Sequence, residues 1–121
     1  MKYVLMFTSR PDLDAEVEPD AMKAHYEKIY AWFGENAAAI ADGGAELLGV
    51  ETATSVKYGP DGPVVVDGPF NEAKEIVGGF SIIDVPDMDA AIALTKSWPS
   101  LQFPGSTVEI RPMVEDYSQF E

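Results

Sequence analysis

The stretch from Val64 to Asp84 constrains this chain more than any other. An apolar run, Val64-Val65-Val66, leads into Asp67-Gly68-Pro69-Phe70, and a charged segment, Asn71 to Glu75, follows before Gly78-Gly79 opens a second apolar run through Ile83. Gly68 can take backbone angles closed to other residues, while Pro69 fixes φ and has no N–H for a ladder. The first strand must therefore stop near Asp67, leaving a carboxylate at its end. The paired glycines predict a bulge, or a close approach of two backbones, where the chain re-enters a sheet. A plain hairpin needs none of this, so the stretch is the first place to look for function.

The flanking segments supply a sheet and two helices. Lys2 to Thr8 reads as a strand with Tyr3, Leu5 and Phe7 on one face and Val4 and Met6 on the other. Ser9 to Glu18, broken by Pro11, reads as a surface loop. Pro19 suits a first helical turn, and Met22, Tyr26, Ile29, Phe33, Ala37 and Ile40 recur at helical spacing, predicting a helix to about Asp42 that Gly43-Gly44 stops. Gly34 marks a weak point within it. Ala45 to Val50 reads as a second strand. Segments 53–58 and 63–66 flank the turn Gly59-Pro60-Asp61-Gly62 and form an appended hairpin. Gly79 to Val85 is a further strand. Asp87 caps a second helix carrying Met88, Ala91, Ile92, Thr95 and Trp98, which Pro99 ends. Thr107 to Met113 closes the series.

This order predicts an α+β chain: two βαβ halves with right-handed crossovers, giving a ferredoxin-like βαββαβ subunit with an added β-hairpin. Both helices fall on one face of a four-stranded antiparallel sheet, yet the strands are apolar on both faces. A second copy packed sheet to sheet is the simplest cover, so a homodimer is expected. A single domain spans 1–121, with its core in about 1–113 and an acidic tail, 114–121.

Charge and composition exclude several functions. With 21 acidic residues against 8 basic, the net charge of −13 repels nucleic acid and anionic membranes. No cysteine and a single histidine argue against a zinc site or a thiol nucleophile. The Gly78-Gly79 pair lacks phosphate-loop spacing, and no GxSxG motif occurs. No apolar run approaches the ~20 residues of a membrane span, and no signal peptide is legible. The expectation is a cytoplasmic protein without a cofactor.

The run VDGPFNEAKEIVGGFSIIDV resembles the signature of the DGPF group of YCII-related proteins. The opening strand KYVLMF, the helix ending in GG, VPDMDAAIAL and the closing VEIRPM resemble that group in the same order. The resemblance implies a dimeric α+β barrel of ferredoxin-like subunits. It also implies a catalytic His–Asp pair, which falls on His25 and Asp67, and a regulatory setting beside extracytoplasmic-function sigma factors.

His25 borders the apolar stripe of the first helix, a place where a lone histidine more often packs than reacts. Oriented by Asp67, it would serve as a general base on a small metabolite. Asp67 also suits a turn-capping role. Phe70, Glu72 and Lys74 are candidate substrate-binding residues around the same pocket; otherwise 72–75 is a solvated charge run. Arg111 is a weaker candidate, with an ion pair to Glu109 or Asp84 the more ordinary use of its charge. Three functions stay open: a small-molecule-binding protein with acid–base chemistry, a non-enzymatic accessory module that contacts a protein partner, and simple ligand sensing without turnover.

Overall fold

A computed structural model describes residues 1–10, 18–68 and 75–120. The elements in order are β1 (Lys2–Ser9), α1 (Pro19–Glu35), β2 (Ile40–Glu46), β3 (Thr54–Lys57), β4 (Val64–Asp67), β5 (Ile76–Asp84), α2 (Met88–Thr95) and β6 (Thr107–Pro112). Strands β2-β5-β1-β6 form one antiparallel sheet in that order, and β3 and β4 form a separate hairpin. This is the ferredoxin-like topology with its added hairpin.

The core lies between the helices and one face of the sheet. Tyr3, Leu5 and Ile83 from the strands meet Trp32, Ala91 and Trp98. Along α1 the residues turned inward are His25 and Trp32, with Ile29 and Phe33 half-buried beside them. Met22, expected in the stripe, is 37% exposed. Asp87 caps α2 as expected, its carboxylate accepting from the Ala90 N–H at 2.8 Å.

The first helix is shorter than the sequence pattern predicts. It ends at Glu35, where the Asn36 side chain and backbone N–H both donate to the Trp32 carbonyl at 2.8 and 3.0 Å. Gly34 therefore sits in the last turn and marks no kink. Residues 40–42, predicted helical, belong to β2 instead, because pairing with β5 satisfies their backbone where a further helical turn would satisfy it only locally. The predicted strand Ala45 to Val50 shifts back accordingly. Gly43-Gly44 form an irregularity inside β2, between the Asp42↔Ile82 and Ala45↔Phe80 pairs. The Ser81 hydroxyl, fully buried, donates to the Gly43 carbonyl at 2.7 Å and fixes this bulge. The second helix ends at Thr95, ahead of Pro99, which opens a short 3-10 turn.

The other sheet face carries no helix among the described residues. By register, Val4 lies beside Ile82 and Arg111, and Met6 beside Phe80 and Glu109. No helix among the described residues is long and apolar enough to cross a membrane.

Candidate functional site

Four glycines make room for a cavity. Gly43 and Gly44 on β2 and Gly78 and Gly79 on β5 put bare backbone where other strands carry side chains, and α1 spans the gap. The resulting cavity holds about 600 Å³, within the range of small-molecule sites. Phe7 and Trp98, stacked with ring centroids 4.2 Å apart, line it together with Tyr26, Tyr30, Phe33 and Phe103. Hydroxyl-bearing Thr8, Ser9, Ser106 and Thr107 line it near the ends of β1 and β6. Among the described residues, no lysine or arginine lines the space.

His25 is the titratable group buried in this wall, 9% exposed. Its Nε2 lies 2.9 Å from the Ser100 hydroxyl, brought from 75 residues away by the 3-10 turn after α2. Phe103 meets the imidazole edge to face at 4.9 Å. The buried Nδ1 has no hydrogen-bond partner among the described residues. Burial first, and then the nearby Lys28 ammonium, lower the His25 pKa from its ordinary 6.5. His25 is thus neutral at pH 7. Beside it the Tyr26 hydroxyl donates to Glu46 at 2.7 Å, tying α1 to β2. That bond to the carboxylate, and then burial, raise the phenol above its usual 10.

Asp67 is placed elsewhere. It ends β4, paired with Thr54 across the hairpin, and is exposed. It neither lines the cavity nor bonds to His25, because β4 pairs with β3 and not with the main sheet. The direction of the His25 shift agrees: a carboxylate partner would raise it. Arg111 lies on the open sheet face, 2.8 Å from Glu109, so the ordinary ion pair is the one formed. Phe70, Glu72 and Lys74 lie outside the described residues. No cluster of three or more His, Asp or Glu side chains that could hold a metal occurs among the described residues.

Sequence reasoning missed Ser100, Trp98 as cavity wall, and the Tyr26–Glu46 link. Trp98 and Ser100 flank Pro99 in a stretch without any motif that names a site, and only the fold brings Ser100 to His25.

A titration separates the two candidate partners of His25. The imidazole should titrate below 6.5 by NMR, and Asp67→Asn should leave its midpoint in place within ~0.2 units. A midpoint above 6.5 that falls in the mutant would restore the Asp67 pairing. Because the folded value lies below the unfolded one, His25 contributes stability in full above 6.5. That contribution is lost as pH falls from there through the lowered folded value.

Comparison with known proteins gives three matches. The sequence profile of the YCII-related domain matches residues 1–115. An uncharacterised protein of Rhizobium meliloti (strain 1021) is 29% identical over 69 residues, 57% of this chain, and the match spans 56% of that relative's length. Among solved structures, 5-chloro-2-hydroxyhydroquinone dehydrochlorinase (TftG) of Burkholderia phenoliruptrix AC1100, in complex with 2,5-dihydroxybenzoquinone, superposes over 90% of this chain and 91% of its own. Its TM-score is 0.50 and its identity 18%, a likeness of fold.

Proposed function

The chain belongs to the YCII-related family, and from that premise we propose that it binds a small, uncharged, largely aromatic molecule in the cavity between α1 and the sheet, with His25 available for proton transfer. One observation carries this reading: a neutral, buried imidazole in the wall of a cavity lined by aromatic rings and, among the described residues, by no Lys or Arg. Stacked and edge-on aromatic contacts favour a flat ligand. A lining without those cations, in a chain of net charge −13, disfavours phosphates and carboxylates. A neutral imidazole at working pH has the protonation state a general base requires.

A thermal-shift screen tests it, since a ligand that binds only the folded state raises the midpoint. Neutral aromatics should stabilise the protein and should shift its single imidazole signal. A hit list made of phosphates or carboxylates would end this reading.

The open sheet face supports the homodimer. Phe80 is 37% exposed, with Val4, Met6 and Ile82 on the same face half-buried. A second copy packed on this face would remove them from water. Met6→Asp with Ile82→Asp should convert a dimer to a monomer in sedimentation equilibrium; a wild type already monomeric at tens of micromolar would rule the dimer out.

The hairpin favours a second reading, a non-enzymatic accessory module. Val56 and Val65, paired across β3 and β4, are 67% and 66% exposed. Such an apolar arm suits a protein contact, and a sigma factor is one candidate partner. On that reading Val56→Asp breaks a complex while His25→Ala does nothing to it.

A further inference from the structure

The hydrogen bonds around His25 fix more than its neutrality. A neutral imidazole has one N–H and one lone pair. Its two arrangements here differ in what they leave buried. With the proton on Nδ1, the Ser100 hydroxyl donates to Nε2 and a buried N–H is left with no acceptor among the described residues. With the proton on Nε2, that N–H donates to Ser100 Oγ, and only a lone pair on Nδ1 stays unpaired. Orphaned buried N–H groups are rarer than under-satisfied acceptors, so the second arrangement prevails.

Ser100 lines the cavity, and His25 is the partner the structure gives its hydroxyl among the described residues. An oxygen that accepts from His25 still has its own hydrogen to give. Such a donor, itself polarised by the bond it accepts, is strengthened by the chain of bonds. Around it the wall is aromatic: Phe103 on His25, and Phe7 and Trp98 lining the same space.

We propose that the His25–Ser100 pair is a hydrogen-bond donor relay that reads an acceptor oxygen on the ligand, so that the cavity selects flat, neutral, carbonyl-bearing aromatics over their hydrocarbon and carboxylate counterparts. The proposal rests on the small-molecule reading of this cavity. In it Ser100 touches the ligand, and His25, whose one lone pair lies buried on Nδ1, is a positioning residue in place of the proton-transfer role given above. The same relay would favour any step that builds negative charge on that oxygen, because a donor aimed at developing charge strengthens as the charge grows.

Two measurements test this. Long-range ¹⁵N correlation on the one imidazole should show a protonated, pyrrole-type Nε2 and a pyridine-type Nδ1; the reverse overturns the relay whatever binds. The second measurement is titration with 1-indanone, indane and 1-naphthoate, followed by Trp fluorescence. Indanone should bind roughly tenfold more tightly than indane, a gap typical of one hydrogen bond to a ligand. Naphthoate should bind most weakly. Ser100→Ala should erase the preference for indanone while keeping the affinity for indane, and Ser100→Thr should restore it. Equal binding of indanone and indane to the wild type overturns the relay and leaves the cavity reading standing. If none of the three binds, the cavity reading falls and the relay with it.

Discussion

Gly44→Ala should cost at least ~3 kcal/mol of stability, shifting the urea midpoint and lowering Tm by roughly 12 °C for a chain of this size. Two effects combine. Gly44 holds φ at +70°, where an L side chain is strained. A Cβ built there would also fall on the Phe80 carbonyl oxygen of the neighbouring strand. That oxygen belongs to the backbone of β5, so no rotamer change relieves the overlap; the β2–β5 pairing itself must open. Gly34→Ala is the matching control. Gly34 lies in the last turn of α1, and nothing stands within 4 Å of the place an added methyl would occupy, so the same substitution should stabilise by about 0.5–1 kcal/mol. A cost below ~1 kcal/mol at Gly44 would show that β2 can take another path past Phe80, and the cavity wall would then be plastic.

Trp98→Ala should be as damaging, at about 3–5 kcal/mol. Trp98 is 8% exposed and follows α2 with no regular structure of its own. It stacks on Phe7 at 4.2 Å and meets Trp32 and Phe33 edge to face at 5.0 and 5.9 Å. One ring thus joins β1 to α1, and its removal leaves both without a filler. Trp98→Phe keeps an aromatic face and should cost less than half as much. Because Trp98 also lines the cavity, the Phe variant should weaken aromatic ligands more than it weakens the fold. Denaturation and ligand titration on the same samples compare the two losses.

Much of this architecture could be read from residue patterns, because the strands alternate cleanly and the turns are punctuated by glycine and proline. The hairpin, the N-cap at Asp87 and the two-faced β1 needed only local rules. The errors came where tertiary pairing overrode local preference. Ala37 to Ala41 has the composition of a helix, yet the chain turns at 36–39 and from Ile40 onward pairs with β5, and Gly43-Gly44 turned out to be a bulge and no stop signal. The site was legible in one residue, His25. Its partner was not, since Ser100 is an ordinary serine after a proline and becomes notable only when a turn 75 positions on folds against α1. Asp67 shows a different limit. Its place at a strand end beside a glycine pair pointed to a functional carboxylate, with turn capping as the ordinary alternative. No local pattern reveals that the strand carrying it joins a different sheet from the one under His25.

That separate hairpin gives the molecule two clocks. The backbone bonds of β3 and β4 run between each other, in strands of four residues each, whereas β1 is bonded on both edges. A lone pair of strands is marginal in water. Its amides should therefore trade hydrogen for deuterium through local opening alone, within seconds to minutes, while those of Tyr3 to Phe7 wait for the whole domain to open. Anything that seats on the arm would slow the fast clock through local opening, and by linkage it would slow the slow clock too, because global opening also releases it.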